Sequence, residues 1–179
     1  PVAVVVAEDR YAAADAADLV VVDYEPLTPA VDPESAATDA VVLFPEVGTN
    51  SALRLASPQR ADFSGCEVVV ELRVENQRMT AAPIEPRSGA AHWTEDGRLV
   101  HYSACQGAHP AREALCAIYG LPPEGIRVVV PDVGGGFGAK SRCQAEELLL
   151  GWLSRRVGRA VRWTETRSEN LVAVPHGRA

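Results

Sequence analysis

The residues best suited to chemistry stand in one short run, Pro131-Asp132-Val133-Gly134-Gly135-Gly136-Phe137-Gly138-Ala139-Lys140-Ser141. Glycine has no Cβ and takes positive φ without strain, so backbone N–H groups in such a run can close on an anion. The run lies between a largely β-branched strand pattern, Ile126 to Val130, and a helical pattern from about Arg142 to Arg156. A helix starting there would bring its positive N-terminal end to the same place. Two phosphate loops nearly match. From Gly134 to Ser141 the run is a P-loop with Ala139 in place of the second glycine, and Gly134-x-Gly136-x-x-Ala139 satisfies the looser dinucleotide fingerprint, with Glu165 as its ribose-binding acid. A tight strand-to-helix turn that binds nothing is the third reading of the same residues.

A second candidate is Gln106, in Ser103-Ala104-Cys105-Gln106-Gly107, where a strand pattern gives way to a helical one. Its amide offers a donor and an acceptor at that corner. Cys105 is the one cysteine with neighbours of interest. Cys66, Cys105, Cys116 and Cys143 stand far apart without C-x-x-C spacing, so they give neither a zinc pattern nor a dense disulfide framework, and a reducing, cytoplasmic setting is expected. Cys116 falls in an apolar helical pattern and reads as a small core residue.

The elements that must position these residues follow from periodicity. Val2–Val6, a helix over Glu8 to Leu19 capped by Asp9, and Val20–Tyr24 read as a strand–helix–strand unit. From Glu25 to Gly65 periodicity fades among Pro26, Pro29, Pro33, Pro45 and Pro58, which predicts an extended connector. Cys66–Val74 alternates as a strand. Asn76 to Arg87 reads as a polar surface loop. Ala90–Trp93 and Leu99–Ser103 pair as a hairpin across Thr94-Glu95-Asp96-Gly97. A helix from about Pro110 to Tyr119 stops at Gly120. After the glycine run, Leu148, Leu149, Leu150, Trp152 and Leu153 give the next helix a buried face, Gly158 ends it, and Ala160–Thr164 is one more strand.

Composition sets limits. The chain has 179 residues, 47% hydrophobic, with a formal net charge of −7. Recognition of nucleic acid through a general basic field is therefore not expected, and Arg155, Arg156 and Arg159 read as a solvated helix end. No apolar run reaches the ~20 residues of a membrane helix. The chain begins in a strand pattern without an initiator methionine or a basic leader, and is expected to be a piece of a longer protein.

Several ordered segments together resemble one family, the molybdenum-binding large subunits of the xanthine oxidase and aldehyde oxidase group, closest to its carbon monoxide dehydrogenase-like members. Pro1–Ala7 through Val22-Asp23-Tyr24-Glu25-Pro26-Leu27 is similar to the end of that family's α/β hammerhead domain. Glu85-Pro86, Cys105-Gln106, the glycine run and Trp163-Thr164-Glu165-Thr166-Arg167-Ser168-Glu169-Asn170 are similar to the start of its cofactor-binding domain. The resemblance implies an α+β chain: residues 1–33 as the hammerhead end, 34–65 as connector, and 66–179 as the first part of a molybdopterin-binding domain with a mixed sheet and packed helices.

It further implies a molybdenum ion on molybdopterin, in bacterial members often the cytosine dinucleotide form, with Gln106, Gly135, Gly136, Phe137 and Gly138 as cofactor-binding residues. The implied reaction is oxidative hydroxylation of an aldehyde, an N-heterocycle or a carbon monoxide-like small molecule. Iron–sulfur and FAD subunits or domains would carry the electrons, and the full subunit would oligomerise. Ser141 stands where xanthine-type members carry a substrate-binding glutamate, and the family's Gly-x-Gly-Glu has no counterpart in this chain. No catalytic residue and no metal ligand is therefore assigned here, and the piece is expected to be inactive alone. A nucleotide-binding module, Rossmann- or P-loop-like, is the alternative. An assembly domain whose glycine turn is structural is the non-enzymatic reading.

Overall fold

The computed structural model describes residues 2–59 and 61–176. Two compact units divide at Glu75 and Asn76.

In the unit from Asn76 on, apolar alternation and a glycine turn build the sheet. Strands β1 (Ser88–Trp93) and β2 (Leu99–Ser103) form the expected hairpin, with Gly97 at φ 81 closing it. Helix α3 (Ala108–Tyr119) ends on left-handed Gly120, and its crossover places β3 (Ile126–Val129) parallel to β2. Helix α4 (Ala145–Val157), ended by Gly158, returns the chain so that β4 (Val161–Thr164) pairs antiparallel with β1. The result is a mixed four-stranded sheet in the order β3-β2-β1-β4. Leu115 of α3 and Leu150 and Leu153 of α4 meet Ala91, Leu99 and Ile126 of the sheet in one buried cluster. The two helices are tied together where Trp152 N donates to the Tyr119 hydroxyl at 2.8 Å. The approach is close: a Cβ on Gly151 would stand 2.8 Å from that hydroxyl.

A further short helix, α5 (Arg167–Ala173), follows β4. The sequence reading missed it, although Thr166 and Glu169 form a reciprocal capping box.

In the unit Ala3–Glu75, helix α1 (Arg10–Asp18) starts as expected on Asp9, whose carboxylate accepts from Tyr11 N at 2.8 Å and Ala12 N at 3.0 Å. A single turn, α2 (Pro33–Ala36), breaks the connector, and the Asn50 side-chain amide holds the loop after it by donating to the carbonyls of Ala36 and Val41. The three strand patterns, Val2–Val6, Val20–Tyr24 and Cys66–Val74, form no strands. A strand is defined by a neighbour's hydrogen bonds, and none of the described residues provides one. The alternation at the last of them leaves Val68, Val70, Leu72 and Val74 each at least three-quarters exposed.

Candidate functional site

The glycine run and the Gln106 corner meet. Gln106 lies between β2 and α3, and the run follows β3, so the parallel pairing of β2 with β3 sets both at the same end of adjacent strands. The Gln106 Oε1 accepts from Gly138 N at 3.0 Å and Lys140 N at 3.2 Å, while its own backbone N–H donates to the Lys140 carbonyl at 2.9 Å. Two backbone donors on one atom identify it as the amide oxygen, which leaves the Nε2 amide exposed as a donor.

Glycine is required here for stated reasons. A Cβ on Gly136 would fall 2.5 Å from Gln106 Oε1, and one on Gly134 would fall 2.6 Å from Glu85 Cβ. Gly135 and Gly138 have φ of 95 and 90, and between them Phe137 holds a positive φ of 49 with its ring 78% exposed. A left-handed aromatic residue costs on the order of 1 kcal/mol, so the surrounding bonds over-determine the turn. Among the described residues no acceptor takes the N–H groups of Gly135, Gly136 or Phe137, and Gly136 is buried. The turn thus presents backbone donors where side-chain bulk is excluded.

The loop is braced by a segment that the sequence reading left as surface loop. Lys140 is buried, and its Nζ donates to Glu85 Oε2 at 2.7 Å; Gly134 N donates to the same oxygen at 2.8 Å. Burial works against the charge on Glu85, but the bonds from Lys140 and Gly134 outweigh it and hold the carboxyl below its ordinary range. Behind it, the Arg87 guanidinium is sealed in by Glu165 and Glu146, and Asn170 donates to Glu165 at 2.8 Å. Beside Phe137, Gly138 and Ala139 a cavity of about 410 Å³ opens toward Thr80, Ala81 and His176. The spacing of Glu85 and Lys140 gave no sign of their pairing, because a buried lysine reads as an exposed one until its partner is known.

These positions overturn the phosphate-loop readings. The lysine that a P-loop would aim at phosphate is committed to Glu85. The expected ribose acid, Glu165, accepts from Arg87 and Asn170 and is 3% exposed. The helix does not begin at Arg142: α4 starts at Ala145, behind a capping box of Gln144 and Glu147 and with Glu146 and Glu147 in its first turn. Its positive end lies beyond the glycine turn and already carries two acids of its own in the first turn.

A family model described as molybdopterin cofactor-binding domain matches residues 45–179. The chain belongs to this family. The nicotine 6-hydroxylase large subunit of Paenarthrobacter nicotinovorans is 38% identical over 181 residues, covering 98% of this chain and 22% of that one. The carbon monoxide dehydrogenase large chain of Afipia carboxidovorans is 35% identical over 188 residues, covering 95% of this chain and 23% of that one. Among solved structures, quinoline 2-oxidoreductase from Pseudomonas putida 86 superimposes with a TM-score of 0.89 at 33% identity, over 96% of this chain and 22% of that one. The molybdopterin-binding chain thus spans under a quarter of the length of these relatives. Among its described residues no helix is long and apolar enough to cross a membrane.

Proposed function

We propose that this chain forms one wall of a molybdenum cofactor pocket in the large subunit of a molybdenum hydroxylase. The observation that carries the reading is the convergence of Gln106 with the turn Gly134–Gly138. Residues present fit the group. A bulky, anionic pterin needs donors without side-chain bulk, and the unused N–H groups of Gly135, Gly136 and Phe137 with the exposed Nε2 of Gln106 are such donors. Gln106, Gly135, Gly136, Phe137 and Gly138 would hold the cofactor, in its cytosine dinucleotide form. When bound, the molybdenum cofactor supplies two-electron oxidation of a small substrate with water as the oxygen source. This chain's own part is to orient the cofactor and to brace the turn through the bonds of Glu85 to Lys140 and Gly134.

In the whole protein, iron–sulfur and FAD partners would receive the electrons, and the substrate would be an aldehyde, an N-heterocycle or a small molecule of the carbon monoxide type. The relatives named for nicotine, quinoline and carbon monoxide support that range. Residues 1–33 would complete a hammerhead domain, 34–65 would connect, and 66–179 would open the cofactor domain. Elemental analysis of the full-length protein, expressed in a host that makes the cofactor, tests this. About one molybdenum per subunit is expected, falling at least tenfold in Gly136→Val, whose side chain would displace Gln106. A full-length protein free of molybdenum under those conditions overturns it.

A further inference from the structure

Helix α5 bears on the glycine turn through a single peptide unit. The carbonyl of Ile84 and the N–H of Glu85 belong to one amide plane, and both ends of that plane are bonded. At one end Arg167 Nη2 donates to the Ile84 carbonyl at 2.7 Å. At the other, Glu85 N donates to the Gly134 carbonyl at 3.2 Å. The Glu85 carboxylate then accepts from Gly134 N at 2.8 Å, so Gly134 is held through both of its backbone groups.

Arg167 is itself fixed in direction. Its Nη1 donates to Asn170 Oδ1 at 2.8 Å, and Asn170 is fully buried, with its own amide donating to Glu165 at 2.8 Å. Glu165 holds the far end of the same strap: Arg87 N donates to Glu165 Oε2 at 3.0 Å, and Glu165 N donates to the Arg87 carbonyl at 3.0 Å. Residues 84 and 87 are thus tied to residues 165 and 167, which leaves Glu85 between them directed at the turn. The Ile84 side chain is 92% exposed, so this position contributes its carbonyl rather than its bulk. Residues 84–87 precede β1 and have no ladder partner that would set the direction of the plane. A guanidinium on the carbonyl sets it, and polarises the N–H at the opposite end toward Gly134.

We propose that Arg167 is a positioning residue for the glycine turn. It orients the Ile84–Glu85 peptide, and through that peptide it places the Gly134 backbone and the carboxylate that Lys140 also meets. Without it the plane can rotate, Gly134 loses a fixed donor, and the N–H groups that follow at Gly135, Gly136 and Phe137 lose their common direction.

Hydrogen exchange of the full-length protein reads this orientation directly. In Arg167→Ala the amides of residues 84–87 and 134–141 should exchange about three- to tenfold faster, the loss expected for one charge-assisted bond, while those of β2 keep their wild-type rate. Arg167→Lys should fall between, because an ammonium serves one acceptor where the fork serves two. Arg162→Ala, which removes an exposed arginine of β4, should change neither segment. The inference is overturned if both segments keep wild-type exchange in Arg167→Ala, or if β2 loosens equally, since α5 would then only stabilise the unit as a whole. The bearing on occupancy rests on the proposed function: molybdenum content should fall in Arg167→Ala, and an unchanged content beside a loosened turn would overturn that link. A wild-type protein without molybdenum would sink the pocket reading and leave the exchange comparison to decide the role of Arg167.

Discussion

The unit from Asn76 on and the unit Ala3–Glu75 both carry strand patterns, yet among the described residues sheet forms in the first alone. Ala91, Leu99 and Ile126, one from each of three paired strands, meet in a cluster closed by two helices, whereas Val68, Val70, Leu72 and Val74 alternate along one segment and stay exposed. Alternation therefore measures the capacity to be buried on one face, and pairing is a property of the neighbours. Ion pairs divide in the same way. Arg87–Glu165 is sealed, with side chains 2% and 0% exposed, and Arg73–Glu34 is open, at 74% and 72%.

Four measurements would break or sharpen this contrast. The largest effect belongs to Glu165→Ala, which strands the buried guanidinium of Arg87; a loss of about 3–5 kcal/mol in urea unfolding is expected, and a loss below about 1 would place the network's weight elsewhere. His101 comes next. It is fully buried in β2 with neither ring nitrogen bonded, and burial lowers it from 6.5 to about 4. Between those values the unfolded chain binds the proton that the folded one refuses, so its contribution is complete above pH 6.5 and declines as pH falls toward 4. Removing it with His101→Leu should flatten the pH dependence of stability over that window by about 3 kcal/mol; an unchanged slope would show that the ring is protonated in place.

A smaller effect, about 1–3 kcal/mol, is expected for Gly136→Ala, where the added methyl must push Gln106 aside. Slowed unfolding-independent hydrogen exchange at Gly138 and Lys140 would be the wrong outcome; their amides should exchange faster once their acceptor is displaced. The smallest belongs to the other unit. Arg73→Ala should change stability by no more than about 0.5 kcal/mol, and that little should vanish in high salt. A larger value there would mean that the open pair is covered in the longer protein.

The hairpin, α3, α4 and β4 were legible because each carries its own signal: an Asp-Gly turn, a glycine stop, or an apolar helical face. The glycine turn and Gln106 could be singled out for the same local reason, and their meeting required the parallel pairing of β2 and β3, which periodicity does not encode. Glu85's pairing stayed hidden because Asn76–Arg87 has no regular structure and its partner lies beyond three strands and a helix. The error over the helix start had a local cause too. Arg142 and Cys143 suit a helix, but the cap belongs to Gln144, whose reciprocal bond with Glu147 fixes the first turn at Ala145.

The burial of Lys140 against Glu85 has one more consequence. Since Lys140 is neutralised inside the fold, a negatively charged guest at the turn is met by uncharged amides whose dipoles are fixed in direction. Attraction of that kind acts over a few ångströms and is little weakened by dissolved ions. Occupancy should therefore survive concentrated salt during purification and respond instead to whatever loosens the turn.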